Sequence, residues 1–353
     1  MKVALVTDTH FGARSDSLAF DAYFAKFYDE TFFPYLVEHD IKTICHLGDI
    51  FDRRKYINFN TLKSCKRYFF GKAAELGIEI HMIPGNHDTY FKNTNDVNSP
   101  NLLLGEYDNI ILYEEPTEIM LDREKVLYLP WICGENYDRT MAKIKESDAK
   151  TCFGHFEFAG YYLLPGMPNI HGMDTDAFSD FNLVVSGHFH HRHSRGNITY
   201  MGNPYEITWS DYDDPRGFAI FDTVKGDLEY INNPFRIFHK IYYDDSDFEG
   251  VNDISNFDFN SVTGSNVKLI VTKKQDFARF DHFVDKLYQC NLIDLKIIED
   301  LSEFEDEALD ENIDLEDTMT LLKEYVNAVE TDLDKQRIKN LLQTLYIEAQ
   351  DTA

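Results

Sequence analysis

Nowhere in these 353 residues do about 18 apolar side chains follow one another, the length a membrane-crossing helix needs. No membrane span is therefore expected. Met1–Val6 offers too short an apolar region for a signal peptide and runs straight into Asp8 and His10. Cysteine is scarce: the five present are odd in number and show no CxxC spacing. That pattern excludes a disulfide framework and points to reduced thiols in a cytoplasmic protein. A Gly-rich P-loop ending in Gly-Lys-Ser/Thr is missing, so ATP hydrolysis is not expected of this chain. There is no internal repeat. Positive charge is also short, with 34 Lys and Arg against 62 Asp and Glu and a net charge of −28. Taken alone, this balance lacks the basic footprint of a nucleic-acid binder. Two points soften that exclusion. Much of the acid lies from Asp244 onward, and divalent ions would reverse the field locally where a phosphate must approach.

What is present is a layered α/β pattern. Lys2–Thr7, Ile41–Cys45 and Ile78–Ile83 read as buried strands. Between them, Ser17–His39 carries Phe20, Tyr23, Phe24, Phe27, Phe32, Tyr35 and Leu36 at helical spacing, an aromatic stripe that reads as core. Asn60–Leu76 reads as a second helix closed by Gly77. This alternation predicts a sheet flanked by helices. Ile110–Tyr113, Glu118–Leu121 and Lys125–Pro130 read as a meander, and Asp138–Asp148 as a helix. Thr151–His155 and Leu183–His190 read as further strands, with a long loop over residues 159–176 between them. Thr199–Met201, Tyr205–Thr208 and Gly217–Asp222 also look like sheet.

The chemistry sits where these strands end. Asp8-Thr-His10, His46-Leu-Gly-Asp49-Ile-Phe-Asp52-Arg53, Gly85-Asn86-His87-Asp88, Gly154-His155 and Gly187-His188-Phe-His190 each leave a strand through polar residues. Open α/β sheets place ligands beyond such strand ends. Asp8, His10, Asp49, Asn86, His155, His188 and His190 are nitrogen and oxygen ligands without thiolate, which suit Mn, Fe, Zn or Mg. Asp49 is the residue best placed to bridge two ions. A two-ion site clamps the attacking and leaving oxygens of a phosphoryl group and makes hydroxide available near neutral pH. His87, outside the ligand set, can protonate the leaving oxygen. Asp52 can hold the His87 ring, and Arg53 can contact a phosphate.

Together these motifs resemble, in order, the five motifs of the calcineurin-like metallophosphoesterases, over about residues 1–225. The resemblance implies that Asp8, His10, Asp49 and His190 hold one metal and that Asp49, Asn86, His155 and His188 hold the other. It also implies His87 as catalytic histidine, paired with Asp52. Within that superfamily the chain looks like the SbcD-type DNA-repair nucleases, including the recombination endonuclease subunits of T-even-like bacteriophages. The Met1-Lys-Val-Ala start, the Gly48-Asp-Ile-Phe-Asp52 spelling and the Met201-Gly-Asn-Pro-Tyr205 turn carry this likeness. It implies an α/β metallophosphoesterase β-sandwich over residues 1–238, acting as a 3′→5′ exonuclease on duplex ends and an endonuclease on single strands. Two divalent ions, Mn²⁺ in preference to Mg²⁺, would serve it, in a homodimer located in the host-cell cytoplasm if phage-encoded. Some relatives carry His where this chain has Asp52.

The remaining third reads as accessory. Residues 239–300, with a strand at Val267–Thr272, a helix at Phe280–Gln289 and a strand at Leu295–Ile298, form a small α/β module, which in that family caps the nuclease and engages DNA. Residues 301–317 are an acidic linker. Residues 318–353 hold two amphipathic segments, either a hairpin packed on the body or, by the resemblance, a dock for an SbcC-type coiled-coil ATPase. Other readings remain open: a small phosphatase or cyclic-nucleotide phosphodiesterase, which fits the acidity, and a metal-bound but idle architectural subunit. The basic groups Arg53, Arg54, Lys55, Lys63, Lys66, Arg67, Arg192 and Arg195 favour DNA, or are simply a solvated face.

Overall fold

A computed structural model of the chain describes residues 1–164, 166–246, 256–299 and 335. Two six-stranded sheets dominate it. The first runs Asp227–Asn232, Gly217–Asp222, Lys2–Val6, Thr43–His46, Glu79–Met82, Ile110–Leu112, its last four strands mutually parallel. The second runs His193–Arg195, Ile198–Tyr200, Leu183–Gly187, Thr151–His155, Glu124–Leu129, Thr117–Leu121, parallel at its centre and antiparallel at both edges.

Side chains alternate across a strand, and that period assigns the layers. Val126, Tyr128, Phe153 and Val185 point between the sheets, meeting Val3, Leu5, Cys45 and Phe221. Their neighbours Leu127, Leu129, Cys152 and Val184 point the other way, into a cluster with Ile144 and Phe178. The outer face of the first sheet is covered by two long helices that meet where each loosens into a π turn, Tyr28–Phe32 and Lys66–Phe70. Their rings interlock there, Tyr28 standing 4.8 Å from Phe69. The fold is thus the layered α/β sandwich flanked by helices that the sequence predicts.

Two local readings are corrected. The expected meander does not form: Ile110–Leu112 joins the first sheet beside Glu79–Met82, whereas Thr117–Leu121 and Glu124–Leu129 make a hairpin in the second. The chain changes sheets through Glu114-Glu115-Pro116, a break the spacing of apolar residues does not reveal. Tyr205–Thr208 is not a strand; Tyr205 is buried because its ring stacks on Phe24 at 3.9 Å, not because it is paired in a sheet. Strands at His193–Arg195, Asp227–Asn232 and Phe238–Asp244 were not expected; the first has no apolar residue at all.

Phe238–Asp244, Asn266–Lys273 and Asp294–Ile298 form a separate three-stranded sheet. Helix Phe277–Tyr288 lays Phe280, Phe283 and Leu287 on Tyr243, Val267 and Leu269. The acidic linker and the paired terminal segments lie outside the described residues, apart from Lys335. All five cysteines are free. Among the described residues, no helix is long and apolar enough to cross a membrane.

Candidate metal centre

The strand-end motifs converge. Lys2–Val6 and Thr43–His46 are adjacent parallel strands, so the loops leaving them run side by side. They are tied by main-chain bonds from Asp8 N–H to the Gly48 carbonyl (3.0 Å) and from His10 N–H to the Asp49 carbonyl (3.1 Å). Phe11, next along, is enclosed by Tyr68, Phe69 and Phe70 of the second long helix. The Tyr205 hydroxyl donates to the Thr9 carbonyl at 2.6 Å. Hydrophobic burial therefore holds down a loop whose own backbone is unfavourable. Asp8, His10, Asp49 and His188 all take positive φ, at 51°, 41°, 54° and 89°. Such conformations cost on the order of 1–3 kcal/mol each and collect at functional sites.

Gly48 is needed twice over. Its φ is +94°, and a Cβ there would lie 2.7 Å from His155 Nδ1. Gly85 is needed for space: a Cβ there would collide with an Asp49 carboxylate oxygen.

Two ligand clusters result, Asp8 with His10 and His190, and Asp49 with His155 and His188, each with its ligand atoms within 4.8 Å of one another. His10 Nε2 and His190 Nε2 are 3.1 Å apart. Asn86 Oδ1 lies 3.0 Å from both His155 Nε2 and His188 Nδ1. Two ligands bound at about 2.1 Å and at a right angle sit about 3 Å apart, so these spacings fit divalent ions. Asp49 Oδ2 stands between the clusters, 3.3 Å from His155 Nε2 and 3.8 Å from His10 Nε2. The structure thus brings all seven expected ligand residues together.

Protonation tells the same story. His155 Nδ1–H donates to the Leu47 carbonyl at 2.8 Å, which turns Nε2 toward two oxygens, of Asn86 and Asp49. A bare lone pair there would face oxygen lone pairs, so the position calls for a proton or a cation. Burial opposes charging the ring, yet Asp49 and then Asp8 push its pKa up to about 9. Burial also works against ionising Asp49, but His155 and His87 hold it well below the ordinary carboxylate range. Burial raises Asp8 and depresses His10 and His188, the two rings being further depressed by neighbouring histidines.

His87 donates its main-chain N–H to Asp49 Oδ1 at 2.8 Å and sets its ring edge-on to His10. Its Nδ1 bonds the main-chain carbonyl of Asp52 at 2.7 Å, a link that any residue at 52 can supply. That fixes the proton on Nδ1 and leaves Nε2 to exchange one. The Asp52 carboxylate stands 3.7 Å from His10 Nδ1. Arg53 is anchored to Asp16 at 2.7 Å and lies over the Tyr56 ring.

Other residues of the site escaped the sequence reading. Asp88 is fully buried and accepts N–H groups from Gly85, Ile50 and Phe51, clamping the Asp49 and Asn86 loops to each other. Arg216, also buried, bonds the main-chain carbonyl of His190 and the Asn203 side chain, and pairs with Asp211 and Asp214. His46 backs the Asp8–His10 loop through Thr9 Oγ1 at 3.0 Å. Trp131 lies 5.3 Å from the His188 ring and 5.9 Å from that of His155. All four act through partners remote in sequence, and only the Asn86-His87-Asp88 run gave any signal.

The chain is similar to known proteins. The model of the calcineurin-like phosphoesterase family matches residues 1–192. Exonuclease subunit 1 of Enterobacteria phage T4 is 31% identical over 357 residues, spanning 99% of each chain. Among solved structures, an archaeal phosphodiesterase aligns with 66% of this chain and 99% of its own at 13% identity and a TM-score of 0.33. A calcineurin-like phosphoesterase from Bacillus subtilis aligns with 66% and 88% at 12% identity and a TM-score of 0.33.

Proposed function

Because the chain belongs to the calcineurin-like phosphoesterase family and is a metal-dependent phosphodiesterase, we propose that it is the nuclease subunit of a DNA recombination and repair complex. The observation that carries this reading is Asp49 set between two ligand clusters, in a chain 31% identical to a phage exonuclease subunit along its whole length. In our reading Asp8, His10, Asp49 and His190 hold one ion, and Asp49, Asn86, His155 and His188 the other. When bound by these residues, divalent ions, Mn²⁺ in preference to Mg²⁺, would supply the means to activate a water and to neutralise phosphate charge. His87, its ring fixed by the Asp52 carbonyl, gives a proton to the leaving oxygen. Arg53, pre-set on Asp16, contacts the neighbouring phosphate.

The cleavage is 3′→5′ on duplex ends and endonucleolytic on single strands. The module at 239–300 caps the site and engages DNA, and the segments at 318–353 dock an SbcC-type ATPase that gates a homodimeric nuclease. The test is end-labelled duplex DNA with Mn²⁺ and a chelator control. Mononucleotide release from 3′ ends is expected. Intact DNA alongside hydrolysis of a small phosphodiester would instead favour the stand-alone phosphodiesterase that the net charge of −28 suits. Removing residues 301–353 should spare small-substrate hydrolysis and abolish ATPase binding; an unchanged complex refutes the docking role.

A further inference from the structure

A cleft of about 150 Å³ opens beside the second cluster, walled by Trp131, Ile132, Tyr137, Met173, Glu157 and His155. Nothing in the phosphate chemistry above uses it. Its walls are chiefly aromatic and apolar, and among the described residues neither Arg nor Lys lines it. With an acidic residue, Glu157, among the wall residues, the fitting occupant is a flat, neutral group and not a phosphate. The Trp131 main chain is fixed on both sides. Its N–H donates to the Pro84 carbonyl at 2.9 Å, and its carbonyl accepts Asn95 Nδ2 at 2.8 Å and Asn136 Nδ2 at 2.9 Å. The indole is thereby held against His155 and His188 before anything binds. Tyr137, 47% exposed at the first turn of its helix, stands at the mouth.

Resting on the nuclease reading, we propose that this cleft takes one unstacked nucleobase of the nucleotide whose phosphate lies over the clusters. His155 is shared by the cleft wall and the ligand set, so a base seated there places its own phosphate within reach of the site. Trp131 and Tyr137 are then specificity-determining residues that recognise a base by its π face, which any of the four bases offers. The terminal nucleotide must leave the duplex stack before its bond is cut.

Trp131 reports on the cleft directly, since the chain has only 2 Trp residues. With Trp209→Phe as background and Mg²⁺ present, a deoxynucleoside 5′-monophosphate should quench Trp131. It should bind roughly 5- to 150-fold tighter than 2-deoxyribose 5-phosphate, the range expected of base–aromatic stacking. Tyr137→Ala, at an exposed position that should not disturb folding, should cut that preference at least about 5-fold and leave sugar-phosphate binding unchanged. Equal binding of the two ligands, or a preference indifferent to Tyr137→Ala, overturns the proposal. On DNA, an abasic terminal residue should slow its own release by a similar factor, and equal rates overturn it too. A base preference in a chain that cuts no DNA would uphold the cleft and remove the nuclease reading; cleavage without base preference would do the reverse.

Discussion

His155 is fully buried and its ring is set by a carbonyl of the neighbouring loop, whereas His190 is 30% exposed, its main chain gripped by Arg216 and its ring set against His10. The same contrast runs through the two clusters they belong to. Around Asp49, His155 and His188, both ring nitrogens of His155 and Nδ1 of His188 meet oxygens. Around Asp8, His10 and His190, two histidine nitrogens face each other at 3.1 Å, and the buried His10 Nδ1 has no hydrogen-bond partner among the described residues. Behind this cluster lies His46, which burial holds neutral with a pKa near 3. One cluster is therefore braced by a buried backbone carbonyl on a fully buried ring, and the other by a buried arginine on the main chain of a half-buried one.

The sharpest way to break this contrast is to remove the residue between the clusters. Asp49→Ala should take bound divalent metal from two ions to none by elemental analysis, and reduce hydrolysis by well over the roughly 100-fold that loss of a supporting contact costs. Retention of one ion would show that Asp49 serves a single cluster. His87→Ala, touching both clusters but holding no ion, should leave both loaded and lower kcat by about 10²–10⁴. Loss of metal would make it a ligand. In metal-free protein, His155→Ala should cost about 3–5 kcal/mol in urea denaturation, because it strands the buried Asp49 charge. His190→Ala should cost far less; equal costs would erase the distinction drawn here. Arg216→Ala should weaken one ion of the two by about 10–100-fold in a metal titration and leave the other unchanged.

The last effect, confined to acid and absent at neutral pH, concerns His46. Its folded pKa is depressed, so the unfolded state binds more protons between about pH 6.5 and 3, and stability from this group is full above that window and lost as pH falls through it. His46→Gln should flatten the acid slope of stability by up to about 1.4 kcal/mol per pH unit. An unchanged slope would mean that the ring protonates without unfolding.

Much of this was legible in the chain. Each expected ligand closes a short apolar run, often just after a glycine, and a strand followed by Asp, Asn or His at its end is a local pattern. Local patterns failed where structure is made by distant partners. The hairpin at Thr117–Leu129 belongs to the second sheet because of what Val126 and Tyr128 meet across the core, not because of its own spacing. Asp88, Arg216 and Trp131 matter through backbone groups at Ile50, His190 and Pro84. The His87–Asp52 link was expected of a side chain and is found at a main-chain carbonyl, which carries no residue identity to read.

Sequence by itself determined the layered α/β order and the set of seven side chains, because apolar periodicity and ligand chemistry are written residue by residue. Tertiary structure alone decided which of them gather in each cluster, which ring is fully buried, and that an aromatic cleft opens beside His155. Distances, burial and fields arise only when remote segments pack, and no spacing along the chain encodes them.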